Sequence, residues 1–98
     1  MRLQQHEIDS ITFIANRVFG KGTTVILFGS RVHDELKGGD IDLYIQPMQK
    51  EALLKKKINF LVALKNKIGD QKIDVILAKD KSRLIEQEAI KKGLVLTS

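Results

Sequence analysis

Apolar residues recur at helical spacing near the start of the chain, and this pattern predicts an amphipathic helix over residues 4–19. The glycine-containing segment 20–22 is expected to end this helix, because glycine tolerates the left-handed backbone that follows many helices. Residues 23–28 form a continuous apolar run rich in β-branched and aromatic side chains. Such a run predicts a strand that is buried on both faces of a helix-covered sheet.

The middle of the chain contains a strand signal between two helical ones. Residues 31–36 predict a short helix, and residues 37–39 predict a turn. Residues 40–45 alternate between polar and apolar, which predicts a second strand that ends before Pro47. The longest helical signal covers residues 49–68, with an apolar stripe formed by Leu54, Ile58, Leu61 and Ile68.

The last third repeats the pattern of a strand followed by a helix. Residues 72–77 predict a third strand, and Ser82 is the expected N-cap of a helix over residues 83–92. Gly93 is expected to end that helix before an apolar tail. The order of elements predicts an α/β (α+β) fold with a small mixed sheet of about three to four strands flanked by helices. We expect one domain over residues 1–98.

Composition narrows the classes of protein that the chain can belong to. It has no cysteine, which excludes disulfides and thiolate metal sites. Residues 1–8 lack a signal-peptide pattern, and no apolar stretch approaches the roughly 18 residues that cross a membrane. We therefore expect a cytoplasmic protein without a membrane partner.

The charge balance favours anionic partners. The formal net charge is +5, which favours binding of a nucleotide, a nucleic acid or an acidic protein surface. We interpret the lysine run at residues 55–57 as a solvated helix face. Few aromatic residues lie among the basic ones, so direct binding of nucleic acid is not expected.

Carboxylates on the predicted strands are the first candidate chemistry. Side chains two residues apart in a strand share a face, so Asp40 and Asp42 are expected to point together. Their repulsion calls for a cation, and carboxylate oxygens suit Mg²⁺. Asp74 lies among apolar residues in the third strand, where a carboxylate is expected to be buried and partnered. Together the three allow a two-metal site for displacement at phosphorus.

A possible phosphate-binding turn follows the first strand. Gly29 allows close approach of the backbone, and a helix beginning at Ser30 would direct free N–H groups at a phosphate. Arg31 either contacts the phosphates or stays exposed. Tyr44 shares the face of the two strand aspartates, where stacking on a base and packing in the core are equally compatible with the sequence.

These motifs resemble a known family. The segment Phe28-Gly29-Ser30-Arg31, followed after a spacer by Gly39-Asp40-Ile41-Asp42-Leu43, resembles the signature of the DNA polymerase β-like nucleotidyltransferase superfamily. The short chain, Asp74 and the ending Ala89-Ile90-Lys91-Lys92-Gly93 with Leu96 resemble its minimal nucleotidyltransferase (MNT) group. Gly39 departs from the pattern, because many members have serine there and a slightly longer spacer.

The resemblance implies a magnesium-dependent enzyme that uses ATP. Two Mg²⁺ ions would be held by Asp40, Asp42 and Asp74, and Asp74 would also help to deprotonate the attacking hydroxyl. The triphosphate would be held by the segment Gly29, Ser30 and Arg31. MNT proteins pair with a helical HEPN-family toxin and are implied to silence it by transferring AMP to one of its tyrosines. We therefore expect an antitoxin that forms a hetero-oligomer with such a partner.

Two other functions remain compatible with the sequence. The protein could neutralise its partner by binding alone, with or without nucleotide. Alternatively, it could transfer a nucleotide to a small molecule or to an RNA end, as other members of the superfamily do.

Overall fold

The computed structural model describes residues 3–29, 40–80 and 82–97. The elements, in chain order, are α1 (Gln5–Phe19), β1 (Thr24–Phe28), β2 (Ile41–Gln46), α2 (Leu53–Ile68), β3 (Ile73–Leu77), α3 (Leu84–Lys92) and β4 (Leu94–Val95). The helix and turn that the sequence predicts over residues 31–39 lie outside the described residues. The predicted fold class, a small mixed sheet flanked by helices, is confirmed.

The sheet has the strand order β3-β2-β1-β4. Strand β1 pairs antiparallel with β2 and with β4, whereas β2 pairs parallel with β3. Helix α2 connects the two parallel strands. The residues of β4 were predicted only as an apolar tail, and their pairing with β1 supplies the fourth strand. In the described part of the chain, β3 is therefore at one edge of the sheet.

Helices cover both faces of the sheet. Helices α1 and α2 pack on the face that carries Val25 and Leu27 of β1. On the other face, Ala89 of α3 packs against Ile26 and Tyr44. The prediction that β1 is buried on both faces is confirmed, since its three central residues are all buried. Among the described residues, no helix has the length and apolarity needed to cross a membrane.

The predicted apolar stripe of α2 is wrong for half of its members. Leu54 and Ile58 are 73% and 54% exposed, whereas the fully buried residues of α2 are Phe60 and Leu64. Leu61 and Ile68 are half-buried against the core, as predicted. Apolar residues occur on several sides of α2, and packing against α1 determines which side is buried: the Phe60 ring lies 5.7 Å from that of Phe19.

Two predicted helix starts also differ from the structure. Helix α2 begins at Leu53 rather than at residue 49, because Ala52 has a left-handed backbone with φ of +53°, which a continuous right-handed helix does not allow. Helix α3 begins at Leu84, and Ser82 does not cap it. The N–H and hydroxyl of Ser82 instead donate to Asp80 Oδ1 at 2.9 and 2.8 Å, which stabilises the preceding turn. The predicted end of α3 at Gly93 is confirmed.

Buried Glu86 fixes α3 to the sheet. Its carboxylate accepts hydrogen bonds from the Tyr44 hydroxyl at 2.7 Å and from the backbone N–H groups of Lys79 and Asp80. It also pairs with Arg83 at 3.2 Å. Burial favours the protonated form, but the donated hydrogen bonds outweigh it and lower the pKa of Glu86. Tyr44 is fully buried and has a packing role.

The orientation of α2 can be tested with the same substitution at two of its leucines. We expect Leu64→Ala to lower the free energy of unfolding by about 2–5 kcal/mol, because it leaves a cavity in the core. Leu54→Ala removes the same atoms from an exposed position and should change it by less than about 0.5 kcal/mol. Urea unfolding measures both values. Equal losses would contradict the observed orientation.

Candidate functional site

Two of the predicted carboxylates lie side by side. Asp42 of β2 and Asp74 of β3 are register partners in the parallel pair, so they project from the same face. Burial raises the pKa of Asp42, and the negative charges of Asp74 and Asp40 raise it further. A hydrogen bond to Asp74 acts in the same direction, whereas Lys72 lowers the pKa. The sheet thus holds two mutually repelling carboxylates in direct proximity.

Asp40 occupies a different position from the one predicted. It precedes β2 rather than lying within it, and its Oδ2 is 3.5 Å from the Nζ of Lys72. In the described ranges, no group of three or more acidic or histidine side chains is arranged to hold a metal ion. The structure therefore brings Asp42 and Asp74 together but places Asp40 beside a lysine.

The prediction that Asp74 is buried is wrong. Its side chain is exposed, because β3 is an edge strand whose alternate residues face outward at this end of the sheet. Only Ile73 and Val75, on either side of it, enter the core. The fold therefore does not require a buried partner for Asp74.

Gly29 follows β1 directly beside Asp42. Its φ is +78°, a backbone conformation that L side chains rarely adopt. A Cβ atom at this position would collide with the Asp42 carboxylate. The glycine therefore permits the predicted turn and also leaves room for the acidic side chain. Ser30 and Arg31, the other two predicted nucleotide-binding residues, lie outside the described residues.

A cavity of about 520 Å³ surrounds the two carboxylates. Phe28, Ile76 and Ile85 supply apolar parts of its lining, and Lys57 of α2 supplies a cation. Lys57 is half-buried and has no ion-pair partner among the described residues.

The interpretation of residues 55–57 as a solvated face is wrong for Lys56 and Lys57, which are both half-buried. Lys55 is exposed, and the Nζ of Lys56 pairs with Glu51 at 3.3 Å, so each lysine of the run has a different environment. The sequence did not single out Lys57 as a site residue. The only available signal was its spacing of three residues from Phe60, which places both near the sheet side of α2.

Comparison with known proteins agrees with this geometry. A family model described as "Polymerase beta, Nucleotidyltransferase" matches residues 11–98. The chain belongs to this family. The match includes all four strands and therefore Gly29, Asp42 and Asp74. No curated protein matches the chain with significant similarity.

The donor set of this nucleotidyltransferase domain is compatible with Mg²⁺. Polymerase β nucleotidyltransferases generally use Mg²⁺ and a nucleoside triphosphate. Mg²⁺ is commonly held by one or two carboxylates, with water and phosphate oxygens completing its shell. Asp42 and Asp74 provide two such ligands, and the repulsion between them would be relieved by a divalent cation.

The pH dependence of stability should reveal that ionisation of Asp42 is unfavourable in the folded protein. Its pKa is raised in the folded protein, so in metal-free buffer the contribution of Asp42 to the free energy of unfolding should fall as pH rises from the ordinary value of 3.8 through the raised value. The penalty is absent below that window and complete above it. Asp42→Asn lacks it and should become more stable relative to wild type with rising pH. Urea unfolding with EDTA tests this, and a pH-independent difference would contradict it.

The contact between position 29 and Asp42 can be measured with a double-mutant cycle. Gly69 also has a positive φ, but a Cβ there would meet no atom within 4 Å, so Gly69→Ala reports backbone strain of about 1–3 kcal/mol. Gly29→Ala should destabilise the protein more than this. With Asp42→Ala present, its effect should fall to that of Gly69→Ala. Unfolding measurements that show additive effects would exclude the contact.

Proposed function

We propose that the protein is a Mg²⁺-dependent nucleotidyltransferase that transfers AMP from ATP to a tyrosine of a HEPN-family toxin and so acts as its antitoxin. The main support is the adjacent pair Asp42 and Asp74 beside the Gly29 turn in a polymerase β nucleotidyltransferase domain. The resemblance of the chain to the MNT group supports the identity of the acceptor and partner.

In the proposed reaction, the tyrosine hydroxyl oxygen attacks the α-phosphorus of ATP. The bond from that phosphorus to the oxygen bridging to the β-phosphate breaks, and pyrophosphate leaves. Asp74 accepts the hydroxyl proton, directly or through water, and its exposed position makes it accessible to the acceptor. Asp42 and Asp74, with Asp40 nearby, would hold Mg²⁺, which neutralises developing charge on the phosphates.

The strand order supports separate sides for donor and acceptor. Gly29 follows β1, Asp42 is in the central strand β2, and Asp74 is in β3 at the edge. Neighbouring strands are about 4.8 Å apart, so Gly29 and Asp74 are separated by the width of two strand spacings. The phosphates would lie on the β1 side, where Gly29 allows close approach. The acceptor would then approach from the β3 side.

The direct test uses the protein encoded next to this chain, which we expect to be of the HEPN family. We expect incubation with isotopically labelled ATP and Mg²⁺ to add one or more AMP groups to a tyrosine, detected by mass spectrometry. Asp74→Asn should abolish transfer but retain partner binding in a pull-down, because the carboxylate is exposed and not needed for the fold. Asp70→Asn, which changes another exposed aspartate near β3, should transfer normally. Full transfer by Asp74→Asn would contradict the assignment.

Co-expression with the toxin separates catalysis from occlusion. We expect Asp74→Asn, at wild-type protein levels, to fail to restore growth. Restored growth would instead support an antitoxin that acts by binding alone. Transfer to a small molecule or an RNA end, with no modified toxin, would support the third function compatible with the sequence.

A further inference from the structure

Strand β3 has one edge that no described residue pairs with. The Lys72 carbonyl accepts a hydrogen bond from the Ile41 N–H at 2.9 Å, and the Ala78 N–H donates to the Ile45 carbonyl at 2.8 Å. In a parallel ladder, the backbone groups of successive residues point alternately toward one neighbouring strand and toward the other side. The even-numbered residues therefore direct their backbone groups toward β2, and the groups directed away from it belong to Ile73, Val75 and Leu77.

This edge of β3 is the floor of a groove between two helices. The cavity that contains Asp42 and Asp74 adjoins a second cavity of about 350 Å³, and both are lined by Lys57, Val75 and Ile76. We call the combined cavity the β3-edge groove. Its walls are formed from α2 by Leu54, Lys57 and Leu61, and from the α3 side by Arg83 and Ile85.

The chemistry of the groove selects an extended polypeptide. At every second residue, β3 has N–H and C=O groups without a partner in the described part of the chain. These groups match the backbone of an added strand, which aligns its own groups with the same period. The exposed wall residue Leu54 gives such a strand an apolar contact. The half-buried Lys57, unpaired in the described part of the chain, favours an acidic side chain at the middle of the groove.

A second copy of the chain fits the groove poorly. Antiparallel pairing of two β3 strands about Val75 would place the two Asp74 carboxylates diagonally across from each other, with each Asp42 close by. It would also bring together two chains of net charge +5. Like charges at such a contact oppose association.

We propose that the β3-edge groove binds an extended acidic segment of the acceptor protein, which pairs with β3 as an additional strand and presents its hydroxyl residue next to Asp74. This inference rests on the proposed function and adds where and in which conformation the acceptor binds. The segment enters at the sheet edge, opposite the Gly29 side where the phosphates lie. Its acidic residues lie beside Lys57.

The backbone pairing is tested at the two edges of the same sheet. Leu77→Pro removes an N–H of β3 that points away from β2. Val95→Pro is the matched control: the Leu96 N–H donates to the Val25 carbonyl, so the Val95 N–H points away from β1 at the opposite edge. The probe is a fluorescein-labelled peptide of alternating apolar and glutamate residues with a central tyrosine. Fluorescence anisotropy should show about tenfold weaker binding to Leu77→Pro and unchanged binding to Val95→Pro.

The charge contribution is tested on two lysines of the same run, and this test does not depend on whether Leu77→Pro folds. Lys57→Glu should weaken binding of the glutamate peptide by about tenfold or more and allow binding of its lysine counterpart. Lys55→Glu makes the same change at an exposed residue outside the groove and should bind like wild type. A third comparison leaves the protein unchanged: N-methylation of alternate peptide amides should abolish binding.

The outcomes separate this inference from the proposed function. Peptide binding that requires Lys57 and free peptide amides, without AMP transfer, supports the groove and contradicts the enzyme. If Lys57→Glu and Leu77→Pro leave AMP transfer to the toxin unchanged, the result supports the proposed enzyme activity and overturns binding at the β3-edge groove. Wild-type protein that binds no peptide, self-associates through β3, or binds a labelled RNA in a Lys57-dependent way also overturns it.

Discussion

The candidate site depends on the register of the parallel pair β2 and β3. A shift of one residue would turn Asp74 toward α2 and direct its apolar neighbours outward. Burial of Ile73 and Val75 in the core under α1 and α2 opposes that shift. Packing on one face of the sheet therefore enforces the proximity of Asp42 and Asp74 on the other face. The repulsion between the two carboxylates opposes folding, and packing of the core offsets it. A divalent cation would relieve this repulsion.

The sheet face opposite α1 and α2 has two parts along the strands, one covered by α3 and one that carries the carboxylates. At Tyr44, α3 covers the sheet and is fixed there by the buried Glu86. Two residues earlier along β2, Asp42 lies on the same face and lines an open cavity. The hydrogen bonds to Glu86 also hold the backbone of Lys79 and Asp80 at the far end of β3. The arrangement stabilises α3 over the middle of the sheet while leaving the carboxylates accessible.

The sequence predicted those features that depend on local patterns. Helical spacing, alternation and a continuous apolar run predict the three described helices and three of the strands, and the glycine and aspartate motifs indicate the family. Features that depend on distant contacts were missed. The exposure of Asp74 follows from the position of β3 at the sheet edge, and the burial of Phe60 rather than Ile58 follows from packing against α1. For Lys57, the spacing from Phe60 is the only signal in the sequence, and Lys56 has a similar spacing from the same residue.

The close approach of Gly29 to Asp42 links the evolutionary histories of two positions. A side chain at position 29 collides with the carboxylate that the proposed chemistry uses, whereas a chain without that carboxylate has space for one. Two constraints favour glycine at this position: its positive φ and the contact of a side chain with Asp42. Relatives that have lost the acidic residue on β2 keep only the first. Homologues in which both residues are substituted would be expected to keep the fold and to lack nucleotidyltransferase activity.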